Sequence, residues 1–173
     1  AFTAIVGLFT LGNSSEAFLI LRAQERGLSV LGVLGMLVTF NLVYSLVSAP
    51  AGALSDRVGR KKVLAMGYAL FALTALGFAF VSNLAGLIIL FALYGLVYAL
   101  VDGSERAYVS DLSPGSLRGS SLGIYYGATG VAAILSSLVA GALWTWWGVQ
   151  ATFICGSGAA ALAAVALLGM KRT

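Results

Sequence analysis

The chain has 173 residues, 60% of them hydrophobic and 9% charged, with a net charge of +4 and a mean hydropathy of +1.00. Ordinary soluble domains carry roughly 25% charged residues, and no compact fold this short hides so much apolar surface from water, so a soluble globular protein is excluded. The basic residues are too few and too scattered for a nucleic-acid partner. One cysteine, Cys155, and no histidine exclude a disulfide framework and the usual zinc sites, so neither a metal nor a cofactor is expected.

Six apolar segments follow one another at about 2–22, 30–54, 63–82, 84–108, 117–143 and 150–169. Each is near the roughly 20 residues that carry a helix across a bilayer. Lipid offers backbone groups no partner, and continuous apolar runs without strict alternation select helices over a barrel. The expected fold class is therefore an all-α polytopic membrane protein, a bundle of six transmembrane helices. The chain opens directly in an apolar run with no basic region ahead of it, and reads as a piece of a longer polypeptide.

In the first span Asn13 and Glu16 share a helix face, with Ser14 and Ser15 between them. An ionisable group inside a bilayer costs a few kcal/mol, so Glu16 should face protein or water. Two readings stand: a substrate or proton site, or a structural carboxylate near the outer interface. Arg22, Glu25 and Arg26 follow in the first connection. The second span carries a polar stripe of Asn41, Tyr44, Ser45 and Ser48, which suits a wet cavity wall better than a lipid face.

Between the second and third spans, Gly52 to Lys62 concentrates Asp56, Arg57, Arg60, Lys61 and Lys62 between two apolar runs. Gly52 and Gly59 allow close approach or left-handed turns. Asp56 is placed to accept hydrogen bonds or to face a helix N-terminus. Arg60, Lys61 and Lys62 sit at the wrong helix end for cations on dipole grounds. Anchoring to anionic lipid and setting topology is their expected use.

After a tight turn at Ser82-Asn83, the fourth span sets Tyr94, Tyr98, Asp102 and Glu105 in a row, with Arg106 one turn past Asp102. The row suits a cavity wall; alternatively Asp102, Glu105 and Arg106 form an ion-pair cluster at the membrane edge. A breaker, Leu112 to Ser116, precedes the fifth span, whose Gly119, Gly123, Gly127 and Gly130 are spaced for close helix packing. Trp144, Trp146 and Trp147 precede the sixth as interfacial anchors. The third and sixth spans hold no charge in their apolar cores. Alternate connections then place Arg57, Arg60, Lys61, Lys62, Arg106, Arg118, Lys171 and Arg172 on one side and only Arg22 and Arg26 on the other. The positive-inside rule makes the first side cytoplasmic, along with both ends of this segment.

A shift of 89 residues lays Gly52-Ala53-Leu54 and Gly59 on Gly141-Ala142-Leu143 and Gly148, and Asn13, Ser15 and Glu16 on Asp102, Ser104 and Glu105. Each block holds three spans, an odd number, so matched positions fall on opposite faces: an inverted three-plus-three repeat.

The pattern G-x-L-S-D-R-x-G-R-K-K over Gly52 to Lys62 closely resembles the signature loop of the major facilitator superfamily, where it joins the second and third helices of a six-helix half. The runs Leu11 to Phe18 and Asp102 to Ala107 resemble the seventh and tenth helices of its bacterial members of unassigned or drug-efflux-like type. The resemblance spans essentially the whole chain, 1–173, and implies the C-terminal half of a twelve-helix transporter in a prokaryotic inner or cell membrane. It implies secondary active transport of a small solute by alternating access, with proton-coupled efflux as one form, and an N-terminal half as partner. It further implies that Gly52, Asp56, Arg57, Gly59, Arg60 and Lys61 form a conformational latch, in which Asp56 pairs with an arginine of the motif and a neighbouring helix end. Two rivals come from other classes. A membrane enzyme lacks any nucleophile–base pair or metal set here. A six-span channel subunit, with a ring of Glu16 side chains, or a non-transporting scaffold stays open.

Overall fold

The computed structural model describes residues 2–13 and 16–170. Its helices are α1 (Phe2–Gly12), α2 (Glu16–Glu25), α3 (Val30–Val58), α4 (Arg60–Phe80), α5 (Leu84–Asp111) and α6 (Arg118–Gly169), with a 3-10 turn at Gly115–Leu117 before the last. The protein is an all-α polytopic membrane protein: five helical runs among the described residues are long and apolar enough to cross a bilayer. The first expected span is the pair α1 and α2. Ser14 and Ser15, and with them part of the repeat match, lie outside the described residues, as do Lys171 and Arg172.

Local chemistry sets the helix ends. Ser29 Oγ accepts from the Gly32 amide at 3.3 Å and Asn83 Oδ1 from the Gly86 amide at 2.7 Å, each satisfying a donor that the first turn leaves free. The long α6 is two helices. Thr152 Oγ1 donates to the Ala140 carbonyl at 3.4 Å, whereas twelve residues of straight helix would separate them by about 18 Å. The chain folds back at Gly148, whose φ of 85° and ψ of 177° suit glycine alone. Its limbs, α6a (118–147) and α6b (149–169), correspond to the fifth and sixth expected spans.

The signature stretch is not a loop. Helix α3 continues to Val58 and α4 begins at Arg60, so Gly59, at φ 104°, is the whole connection. A single residue with positive φ redirects the chain without spending any others. The charges therefore sit on helical surfaces rather than on a flexible segment.

The repeat is visible in the packing. A Cβ added at Gly67 would meet Val101 Cγ2 at 2.5 Å, and one at Gly156 would meet the Gly12 carbonyl oxygen at 2.5 Å. The same shift of 89 residues carries Gly67 onto Gly156 and Gly12 onto Val101, so α4 meets α5 where α6b meets α1. A third close approach sets Gly95 against the Phe40 carbonyl and joins α5 to α3. By contrast, nothing lies within 4 Å of a Cβ built at Gly119, Gly123, Gly127 or Gly130. That stripe packs on no helix of this chain, because α6a turns it outward.

Aromatic rings fill the centre, with Phe9 stacked on Tyr68 at 3.9 Å and Phe78 set edge-on to Phe91 at 5.4 Å. Arg22, expected in a polar connection, is 3% exposed. Its Nε donates to the Phe78 carbonyl and Nη2 to the Ala79 carbonyl, both at 2.9 Å, while Nη1 pairs with Glu25 at 3.2 Å. It thereby caps the carbonyl end of α4, where a cation is favoured, and ties that end to α2.

Candidate functional site

Helices α1 and α5 enclose a cavity of about 140 Å³ with Thr10, Asn13, Tyr98, Asp102 and Glu105 in its wall. Water or a small polar group fits such a space. The spacing of Tyr94, Tyr98, Asp102 and Glu105 winds them slowly around α5; the last three reach the cavity at successive levels, and Tyr94 lies one turn before them. At one end the Tyr94 hydroxyl lies 3.1 Å from Asn13 Oδ1 and 3.5 Å from the Tyr98 hydroxyl. Phe40 packs on both tyrosine rings at 5.4 Å and fixes their directions. Glu16 is half-buried in the first turn of α2, where the helix dipole favours a carboxylate.

The two acids farther along α5 separate sharply. Asp102 is partly exposed, accepts from the Tyr44 hydroxyl at 3.0 Å and pairs with Arg106 one turn on. Glu105 is 6% exposed. Tyr68 from α4 donates to its Oε1 and Tyr125 from α6a to its Oε2, each at 2.6 Å. Asp102 and Arg106 form the ion pair, and Glu105 stands apart from it. A buried carboxylate needs such donors, because charge-assisted hydrogen bonds contribute roughly 1.5–3 kcal/mol each against its desolvation. Together the two phenols join α4, α5 and α6a through one group that can take up a proton.

Asn41 does not reach this cavity. It is exposed on α3, with Nδ2 donating to the Leu37 carbonyl at 2.8 Å, and Ser45 is exposed on the same helix. A buried contact between Ser104 Oγ and Ser55 Oγ at 3.1 Å links α5 to the α3 part of the signature stretch.

Within that stretch Arg60 is the centre. Its Nη2 meets Asp56 Oδ1 at 3.2 Å across the Gly59 turn, and its Nε meets Asp111 Oδ2, at the end of α5, at 2.8 Å. Lys61 Nζ donates to the Leu168 and Met170 carbonyls at 2.9 and 2.6 Å, at the close of α6b. Arg57 is exposed in the last turn of α3, with no acid partner among the described residues, and Gly52 has open space beside it. Three partners escaped the sequence reading: Tyr68, Tyr125 and Asp111. A tyrosine in an otherwise charge-free third span was a signal for the first. Nothing in spacing pointed to the other two.

A family model described as Major Facilitator Superfamily matches residues 1–173. An uncharacterized MFS-type transporter, MJ1317, of Methanocaldococcus jannaschii is 40% identical over 96% of this chain and 43% of its own length. The MFS antiporter QDR3 of Candida albicans is 33% identical over 57% of this chain and 14% of its own length. A further uncharacterized MFS-type transporter of M. jannaschii, MJ1560, is 26% identical over 78% of the chain and 35% of its own length. The chain thus spans less than half the length of each of these relatives.

Proposed function

The chain belongs to the Major Facilitator Superfamily, and we propose that it is the C-terminal six-helix half of a secondary transporter that moves a small solute by alternating access. The observation that carries this reading is a polar cavity with a buried carboxylate, walled by α1 and α5, inside a bundle otherwise built for lipid. An ionisable group buried among membrane-spanning helices is a functional-site candidate by default. Glu105, Asp102 and Glu16 are the groups available to carry a proton, since this half has no histidine. The word antiporter in the QDR3 name favours exchange over uniport.

An N-terminal half is the partner this reading requires, and the outward faces of α3 and α6a are where it fits. Asn41 and Ser45 on α3 are ill suited to lipid, and the glycine stripe of α6a permits a close helix neighbour. Asp56, Arg60 and Asp111 form the latch, closed in the present arrangement and opened in the alternate state. In inverted vesicles carrying the complete transporter, a solute found by compound screening should enter against a proton gradient. Glu105→Gln keeps the shape and one acceptor of the site, and should leave downhill exchange while abolishing uphill accumulation. Full accumulation by that variant removes Glu105 from proton coupling. Saturable transport by this half alone, as a monomer, overturns the half-transporter reading.

A further inference from the structure

On the opposite side of the bundle, α4 and α6b enclose a groove of about 700 Å³ that shares no lining residue with the cavity. Its floor is made of alanines, with Ala65, Ala72 and Ala164 buried. Larger side chains wall it: Met66 and Leu73 on α4, each more than half exposed, and Val165 on α6b. Small residues on two facing helices, flanked by large ones, leave a channel the width of a chain. Ser157, inside it, spends its hydroxyl on the Ala72 carbonyl at 2.8 Å, so its polarity is not offered to a ligand. From Lys62 to Leu76 the groove runs 14 residues of helix, about 21 Å. One leaflet of hydrocarbon is about 15 Å deep, so the groove has the length of one acyl chain plus the start of its headgroup.

The end at Lys62 opens into a second recess of about 620 Å³ lined by Arg60, Lys61 and Lys62; the two spaces share Val58, Lys62 and Leu168. Three consecutive cations stand there, and two of them have partners among the described residues. Arg60 is held by Asp56 and Asp111, and Lys61 caps the carbonyls that close α6b. The cap covers the negative end of that helix, which would otherwise repel an anion. Lys62 is exposed and meets no acid among the described residues. A basic recess opening onto an apolar groove of leaflet depth is complementary to a molecule with an anionic head and a hydrocarbon tail. We infer that the groove between α4 and α6b binds an anionic glycerophospholipid, with its phosphate at Lys62 and one chain along the alanine floor.

The test needs no transport. The complete transporter is drawn from bilayers of equal phosphatidylglycerol and phosphatidylcholine, and the lipids it retains in mild detergent are counted by native mass spectrometry. The natural protein should retain phosphatidylglycerol in preference. Lys62→Gln should lower that preference about fivefold, the factor one basic residue supplies beside an anionic headgroup. Ala69→Trp, which fills the exposed floor, should reduce retention of both lipids. Arg118→Gln, an exposed cation away from the groove, should change neither. Equal losses in Lys62→Gln and Arg118→Gln would reduce the effect to general surface charge and overturn the site. Unchanged retention in Ala69→Trp would remove the groove from it.

Discussion

Two turns of this chain occupy matching places in its repeat and have opposite chemistry. Gly59 joins α3 to α4 and Gly148 joins α6a to α6b; both take positive φ, at 104° and 85°. Around Gly59 stand Asp56, Arg57, Arg60, Lys61 and Lys62, whereas around Gly148 stand Trp144, Trp146 and Trp147. The charged turn reaches beyond its own helices, through Arg60 to α5 and Lys61 to the end of α6b. Of the aromatic turn, only Trp144 reaches inward, packing on Phe18 and Phe153, while Trp146 and Trp147 are 72% and 68% exposed. Backbone geometry asks only for glycine at such a corner. The side chains beside it are free to wire one corner to distant helices and to anchor the other at an interface.

The comparison breaks most visibly if the two turns share a side of the membrane. In a Cys155→Ser background, cysteines introduced at exposed Arg57 and Gln150 should label from opposite faces of sealed vesicles, all or none. Labelling of both from one face would end the inverted repeat.

The next effect is energetic and should be equal at the two corners. Gly59→Ala and Gly148→Ala each force a side chain into backbone geometry that costs about 1–3 kcal/mol. Thermal unfolding of the purified complete protein should show similar losses for both. A loss at one only would mean that the other corner relaxes into a different turn.

The third outcome should differ between them. Asp56 is 68% exposed in its pair with Arg60, and an exposed ion pair contributes only about 0–1 kcal/mol to folding. Asp56→Asn should leave expression and melting nearly unchanged, yet slow transport about tenfold, on the scale of ordinary conformational coupling. Trp147→Ala, the smallest change, should leave the transport rate within about twofold, since an interfacial anchor bears equally on both states. Comparable loss in the two variants would make the charged turn one more anchor.

Much of this was legible in the residues. The apolar runs gave the helices, and of the row from Tyr94 to Glu105 the last three line the cavity, as does Asn13 on the first span. Asn41 faces away from that cavity, and a polar stripe shows that a face is wet or partnered but not which neighbour meets it. Asp102 and Glu105, three residues apart, looked like one cluster with Arg106. A step of three turns a side chain about 60° around the helix, enough to send one to the Tyr44 side and the other between α4 and α6a. The Gly59 connection looked like a loop because its charges are dense, although charges on a helix at the membrane edge are no less stable.

By itself, then, the sequence determined that the chain is helical, spans a membrane and carries the superfamily signature, because hydropathy and backbone satisfaction in lipid are properties of segments taken one at a time. Only the tertiary structure decided that Tyr68 and Tyr125 close on Glu105, that Arg22 caps α4, and that Lys62, alone of three cations, has no acid partner among the described residues at the mouth of a groove. Those outcomes depend on which side chains of separate helices meet, and pairings 20 to 57 residues apart leave no periodic trace along the chain.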